Sequence, residues 1–196
     1  EQQRKLMAII LEDVDRLNRL ITDIADASRL DSELSRFEPE RLDLGQLLEV
    51  LAEMHRTAGT DRQPEIAFEA LAGGPFFVMA IEGRLVQIFR NLLSNAFSFS
   101  PPGSVVTLRI GRDGRWVEAT VDDQGPGIPA SSLRKIFDRF YSERPEGEPF
   151  GTHSGLGLSI SRQIVEAHNG TIAADNRRDG CGRVIGARFI VRLPAA

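Results

Sequence analysis

The chain has 196 residues and a mass of 21.7 kDa, the size of one domain or of one domain with an appendage. Apolar residues make up 41% and charged residues 27%, enough for a buried core and too polar for a membrane-embedded protein; no apolar run approaches the ~18 residues of a membrane helix. With 24 basic against 28 acidic residues the net charge is −4, which argues against a nucleic-acid coat, since that needs a basic stripe. A single cysteine, Cys181, excludes an internal disulfide framework and, with no signal peptide visible, fits a reducing, cytoplasmic setting. The first residue is Glu1, so the sequence reads as a piece of a longer protein. Basic charge is almost all arginine, Lys5 and Lys135 being the only lysines.

In chain order, the first signal is a heptad seam. Met7, Ile10, Val14, Leu17, Ile21, Ile24 and Ser28 alternate in steps of 3 and 4, with Leu6, Leu20 and Ala27 widening the stripe and Glu12, Asp15, Arg16 and Arg19 on the other face. That width suits a four-helix bundle formed between chains, the alternative being a helix packed on its own domain. Residues 1–36 are therefore read as a dimerisation segment. Residues 31–42 are polar and broken by Pro39, which places a boundary before a second unit at 42–196.

In that unit Asp43 can N-cap a helix through Leu44, Leu47, Leu48 and Leu51. Short strands are expected at 66–68 and 76–79. An amphipathic helix over 82–99 carries Leu85, Ile88, Phe89, Leu92, Leu93 and Ala96 on one face and stops at Pro101-Pro102-Gly103. Alternating strands at 105–110 and 116–121 flank Asp113-Gly114, a hairpin signal. A Gly-Pro loop at 124–129 precedes a predicted helix from about Ser131; residues 142–155 read as a mobile loop. A helix over 155–168 ends at Asn169-Gly170, a left-handed cap, and strands follow at about 171–175 and 184–193. Helices on one face of a mixed, mostly antiparallel sheet make an α+β, two-layer α/β sandwich.

Three patterns can carry chemistry. Asn91 and Asn95 lie four apart on one helix face, where an amide oxygen is a hard ligand suited to Mg²⁺, or both are merely solvated. Asp122-Asp123-Gln124-Gly125-Pro126-Gly127-Ile128-Pro129 follows a strand; a carboxylate there can accept from an exocyclic amine, and the glycines permit close backbone approach, although a plain turn fits too. A dinucleotide fingerprint is disfavoured, because an antiparallel hairpin precedes the glycines instead of a βαβ unit opening on them. Gly151 to Leu158 leads into a helix whose first amides favour phosphate, and a Walker A loop is excluded because neither lysine follows a glycine.

Together and in this order, these patterns resemble the catalytic and ATP-binding domain of sensor histidine kinases, of the gyrase, Hsp90 and MutL superfamily, whose fold is the Bergerat-type sandwich. N-L-L-S-N-A (91–96) looks like the N box, D-D-Q-G-P-G-I-P (122–129) the G1 box, Phe137 and Phe140 in I-F-D-R-F-Y the F box, and S-G-L-G-L-S-I (154–160) the G2 box. The resemblance spans about 42–194, and the heptad helix ending A-S-R-L-D (27–31) is similar to the second helix of the family's dimerisation and phosphoacceptor domain. The motif spelling is similar in particular to envelope-stress- and acid-responsive kinases of alpha-proteobacteria.

The resemblance implies roles. Asn95 would ligate Mg²⁺ with Asn91 in support, Asp123 would bind the adenine amine of ATP or ADP with Gly125 and Gly127 giving room, and Gly155 and Gly157 would present amides to the phosphates. Ile128 and Leu156 would wall the adenine pocket, and residues 141–154 would form the ATP lid. It further implies a homodimer through the N-terminal helix, a response-regulator receiver domain as partner, and a parent protein anchored in the inner membrane with this portion in the cytoplasm. Two departures stand out. Ser98 and Phe99 replace the family's usual Lys-Tyr, leaving Phe99 to stack and Arg139 or Arg144 to supply the missing cation. None of His55, His153 and His168 lies in an H-E-x-x-x-P context, so the phosphoacceptor histidine is absent and autophosphorylation is not expected. His55 reads as a surface residue, His168 as a helix-end residue and His153 as part of the lid. The rivals are a superfamily ATP hydrolase, a serine kinase acting on a sigma-factor regulator, and a non-enzymatic dimerisation scaffold. Against the first, Asn91 occupies the slot of the water-activating glutamate and cannot act as a base.

Overall fold

The computed structural model of the chain describes residues 7, 14, 21, 25, 37–58, 63–71, 74–141 and 155–196. At the N-terminus Met7, Val14, Ile21 and Ala25 are helical, and the first three, one heptad apart, are exposed instead of buried on the second unit. The rest of the heptad seam lies outside the described residues.

The second unit runs β1 (Glu40–Asp43), α1 (Leu44–Ala58), β2 (Glu65–Ala70), β3 (Phe77–Ala80), α2 (Glu82–Phe99), β4 (Val105–Asp113), β5 (Trp116–Asp122), a 3-10 turn (Lys135–Phe137), α3 (Gly157–Ala167), β6 (Thr171–Arg178) and β7 (Val184–Pro194). The main sheet has the order β2-β4-β5-β7-β6, with β2 parallel to β4 and every other pair antiparallel. A second small sheet pairs β1 with β3. The predicted two-layer sandwich is thus the observed architecture.

Strand alternation sorts the sheet into two faces. Val106, Leu108 and Ile110 of β4, Val117, Ala119 and Val121 of β5, and Ala187, Phe189, Val191 and Leu193 of β7 point into the core. The buried stripe of α2, from Leu85 and Phe89 to Leu93 and Ala96, meets them together with Leu44 and Leu48 of α1 and Ile160 and Ile164 of α3. Each fully buried Leu, Ile, Val or Phe among them contributes about 1.5–3 kcal/mol. The opposite face is polar. There Glu69 pairs with Arg109 at 2.6 Å, Glu118 with Arg192 at 2.6 Å, and Asp122, fully buried, takes Arg109 and Arg188.

Capping follows the sequence. Asp43 Oδ1 accepts the Gly45 N–H at 2.9 Å at the start of α1. After α3 Asn169 takes φ +57°, and the Gly170 N–H returns to the Val165 carbonyl at 2.9 Å. Three expectations need correction. The helix from Ser131 is a run of turns closed by the 3-10 turn, since Pro129 and the buried Ile136 and Phe137 hold the segment against the core within too short a span. The segment read as polar linker contains β1, which pairs with β3. His55 is half-buried, its ring 5.0 Å from that of Phe97, and burial, then the Arg90 charge, lowers its pKa.

Candidate functional site

Helix α2 ties the two glycine loops together at two points. Near its middle, Asn91 Nδ2 donates to the Gly157 carbonyl at 3.0 Å and to Ser161 Oγ at 3.3 Å, joining α2 to the start of α3. At its end, the Phe99 carbonyl lies so close to Gly125 that a Cβ there would stand 2.6 Å from it. Asn95 sits one turn from each joint, about 6 Å along the helix. It is half-buried, and its side chain has no hydrogen bond to any described residue. A free amide oxygen between a phosphate-type helix N-terminus and a strand-end carboxylate fits a Mg²⁺ ion that keeps most of its other ligands from water and phosphate. Among the described residues no cluster of three His, Cys, Asp or Glu side chains could hold a metal alone.

Asp123 closes the far side. Strand β5 ends at Asp122, so the next residue alternates to the helix-bearing face, and Asp123 is 4% exposed. Its Oδ1 accepts from the Ala187 N–H at 2.8 Å and the Gly125 N–H at 2.9 Å. Its carbonyl accepts from Arg177 Nη1 at 2.6 Å, and its N–H donates to the Ala187 carbonyl at 3.0 Å. No described residue donates to Oδ2. Burial raises the Asp123 pKa; the Ala187 and Gly125 N–H groups and the Arg177 charge offset this in part, and the Asp122 charge adds to it. The result is a carboxyl with one oxygen fixed by the backbone and the other left to accept from a partner.

The glycines have reasons internal to the protein. Gly127 has φ +79°, and a Cβ there would lie 2.3 Å from Val184 Cγ1. Gly155 has φ +71° and packs its Cα against the Phe140 and Tyr141 backbone, where the Phe140 N–H donates to its carbonyl at 2.9 Å. The ends of the proposed lid are thus drawn together at Phe140 and Gly155, with Tyr141 Oη donating to Ser132 Oγ at 2.8 Å. Residues 142–154 of that lid, with Arg144 and His153, lie outside the described residues. Phe137 is buried edge-on against Phe189 at 6.5 Å, whereas Phe140 is exposed.

The structure therefore joins Asn91 to Gly157 and Phe99 to Gly125, with Asp123 bonded to Gly125, while Asn95 lies on α2 between these two joints. Leu156 is buried in the core next to the α3 N-terminus. Arg139 is exposed, and its side chain makes no ion pair or hydrogen bond to a described residue. His168 is the helix-end residue expected, with Nδ1 donating to the Ile164 carbonyl at 2.8 Å and Nε2 accepting the Ile81 N–H at 3.1 Å. Three contributors escaped the sequence reading: Asn176, whose amide holds the Ile128 backbone, Arg177, and Gly186, where a Cβ would fall 2.0 Å from the Asp123 carbonyl. The available signal was an Asn inside a strand, where that residue is depleted.

Residues 80–196 match the family described as histidine kinase-, DNA gyrase B-, and HSP90-like ATPase. The chain is 45% identical over its full length to the sensor protein ChvG of Rhizobium meliloti and 45% identical to that of Agrobacterium fabrum, covering 35% and 34% of those proteins. It therefore spans about a third of the length of these curated relatives. Among solved structures it is similar to the mycobacterial sensor histidine kinase MprB, with 30% identity and a TM-score of 0.66 over 80% of this chain and 97% of that one. It is also similar to full-length ShkA in complex with AMPPNP, with 27% identity and a TM-score of 0.76 over 100% of this chain and 39% of that one.

Proposed function

The chain belongs to the histidine kinase-, DNA gyrase B-, and HSP90-like ATPase family, and from that premise we propose that the cleft around Asn95 and Asp123 binds Mg-ATP for phosphoryl transfer to a histidine outside this chain. The domain is an ATP-binding one, homologous to those of sensor histidine kinases. The observation that carries the finer reading is the Asp123 carboxylate, with Oδ1 held by two backbone N–H groups and Oδ2 left open, beside the joint between the Gly125 loop and the end of α2. That oxygen would accept from the adenine amine, with Ile128 and Leu156 as apolar walls and Phe99 stacking. The α3 start, at Gly157 and the glycine loop before it, would face the phosphates. Asn95 would hold Mg²⁺, which neutralises phosphate charge and sets the in-line geometry when bound.

The chain's own residues supply binding and alignment. An imidazole nitrogen from another helix would attack the γ-phosphorus, the bond to the β–γ bridging oxygen would break, and ADP would leave. The phosphohistidine would pass its phosphoryl group to an aspartate of a response-regulator receiver domain. Exposure of Met7, Val14 and Ile21 at heptad spacing supports pairing of that helix in a homodimer. The sensor-kinase relatives support a cytoplasmic portion of a protein anchored in the inner membrane; among the described residues no helix is long and apolar enough to cross a membrane. Asn91 speaks against a hydrolase, because its amide is committed to Gly157 and Ser161 and is no base.

Calorimetric titration of this chain with ATP, with and without Mg²⁺, tests the reading. Saturable Mg-dependent binding without self-phosphorylation is expected. Steady phosphate release would shift the assignment to a hydrolase, acid-stable phosphoserine on an added partner would shift it to a serine kinase, and no binding at millimolar ATP would leave a scaffold.

A further inference from the structure

We propose that Asn176 is a positioning residue for purine recognition: from the edge strand β6 its side-chain amide grips the Ile128 peptide and so fixes the loop on which Asp123 presents its open oxygen. The inference rests on the assignment of Asp123 to the base.

The grip is two-sided. Asn176 Oδ1 accepts the Ile128 N–H at 2.7 Å, and Nδ2 donates to the Ile128 carbonyl at 2.7 Å. One amide thereby satisfies both backbone groups of a residue 48 positions away, as a neighbouring strand would. Gly127 is shaped to it: a Cβ at that residue would fall 2.7 Å from Asn176 Oδ1. The next residue of β6 holds the other end of the same loop. Arg177 Nη1 donates to the Asp123 carbonyl at 2.6 Å, and its Nε lies 3.4 Å from Asp122 Oδ2. On β7, Ala187 holds Asp123 Oδ1 and Gly186 makes way for the Asp123 carbonyl. A register shift between Arg177 and Arg178 lies beside these contacts. The loop from Asp123 to Ile128 is therefore clamped at both ends by one hairpin. The Asp123 end is held by the Ala187 backbone as well as by the Arg177 side chain, whereas the Ile128 end depends on the donor and acceptor of a single side chain.

The test is a double-mutant cycle on the 196-residue chain, with the dissociation constant of Mg-ATP as readout and amide hydrogen exchange at Ile128 alongside. Asn176→Ala is expected to weaken ATP binding about tenfold, the loss of two half-buried hydrogen bonds that order the loop, and to speed exchange at Ile128 while the amides of α2 and β4 stay protected. In an Asp123→Asn background the same substitution is expected to cost about threefold or less, because the group being positioned is gone. Asn176→Asp keeps the shape and the acceptor but loses the donor to the Ile128 carbonyl, so a similar loss is expected even if the alanine variant folds poorly. Unchanged ATP affinity in Asn176→Asp, or an undiminished effect in the Asp123→Asn background, would overturn the positioning role while leaving the nucleotide site standing. Wild-type binding that does not depend on Asp123 would overturn both.

Discussion

Replacing Asp123 with Asn separates a binding role from a structural one, because the two quantities are expected to move in opposite senses. The amide is isosteric with the carboxylate, so its oxygen can still accept from Ala187 and Gly125, now at 2.8 and 2.9 Å from Oδ1. Its NH₂ then stands where Oδ2 stood and presents a donor to the donor of an adenine amine. A hydrogen bond to a charged acceptor is worth about 1.5–3 kcal/mol, so the Kd for ATP should rise roughly 10- to 150-fold. Stability follows from the raised Asp123 pKa. A carboxyl that titrates higher in the fold than in the unfolded chain favours folding fully below its unfolded value, near 3.8, and that contribution is lost as pH rises through the folded value. At pH 7 the ionised Asp123 is a cost to the fold, and an amide does not ionise. The variant should therefore melt at the same temperature as the wild type or above it, while binding ATP far more weakly. Calorimetric titration and a thermal melt at pH 7 measure both; an ATP affinity within twofold of wild type on an intact fold refutes the assignment.

Asn95→Ala touches no hydrogen bond among the described residues and should change stability by under ~0.5 kcal/mol, yet abolish the difference in ATP affinity between Mg²⁺ and EDTA. Asn91→Ala loses its bonds to Gly157 and Ser161 and should destabilise by about 1–2 kcal/mol in urea unfolding, which sets the two asparagines apart. Asp122→Ala leaves Arg109, Arg177 and Arg188, which are 27%, 21% and 42% exposed, facing one another without their shared acid; a loss of about 2–3 kcal/mol, deepest at low salt, is expected from denaturant curves. His168→Leu strands the Ile81 N–H and takes one of two donors from the Ile164 carbonyl, which keeps the backbone N–H of residue 168, and should cost about 1–3 kcal/mol, read from the same curves.

Helix α2 and strands β4 and β5 were legible because their apolar residues repeat at periods of 3.6 and 2, and each is bounded by Pro-Pro-Gly or Asp-Gly. The strand β1 was not, because Glu40-Arg41-Leu42-Asp43 is polar and gains strand geometry only from pairing with β3. The segment after Pro129 failed for the opposite reason: its local pattern suits a helix, but burial of Ile136 and Phe137 and the joint between Phe140 and Gly155 constrain it to turns. Asn91, Asn95, Asp123 and the glycines could be named from spacing, since those elements are short and local. The support from Asn176, Arg177 and Gly186 could not, because it arises from strands more than fifty residues away from Asp123 whose register no local pattern fixes.

The adjacent Asp122 and Asp123 show how one strand end divides two identical side chains between two tasks. Alternation sends Asp122 to the outer face, where Arg188 bonds both its oxygens at 2.7 and 2.6 Å and Arg109 and Arg177 complete the cage. It sends Asp123 inward, where no guanidinium meets the carboxylate and only backbone N–H groups donate. Were an arginine to reach Asp123 directly, its open oxygen would be consumed by a bidentate pair and a neutral amine could not compete for it. By occupying Arg177 with Asp122 and with the Asp123 carbonyl, the outer face holds a positive charge near Asp123 without letting it touch the acceptor. On the proposed reading Asp122 would serve the site by what it keeps away from its neighbour, and the expected loss of ATP affinity in Asp122→Ala, beyond its loss of stability, would show as a nucleotide Kd that worsens at temperatures where the variant is still folded.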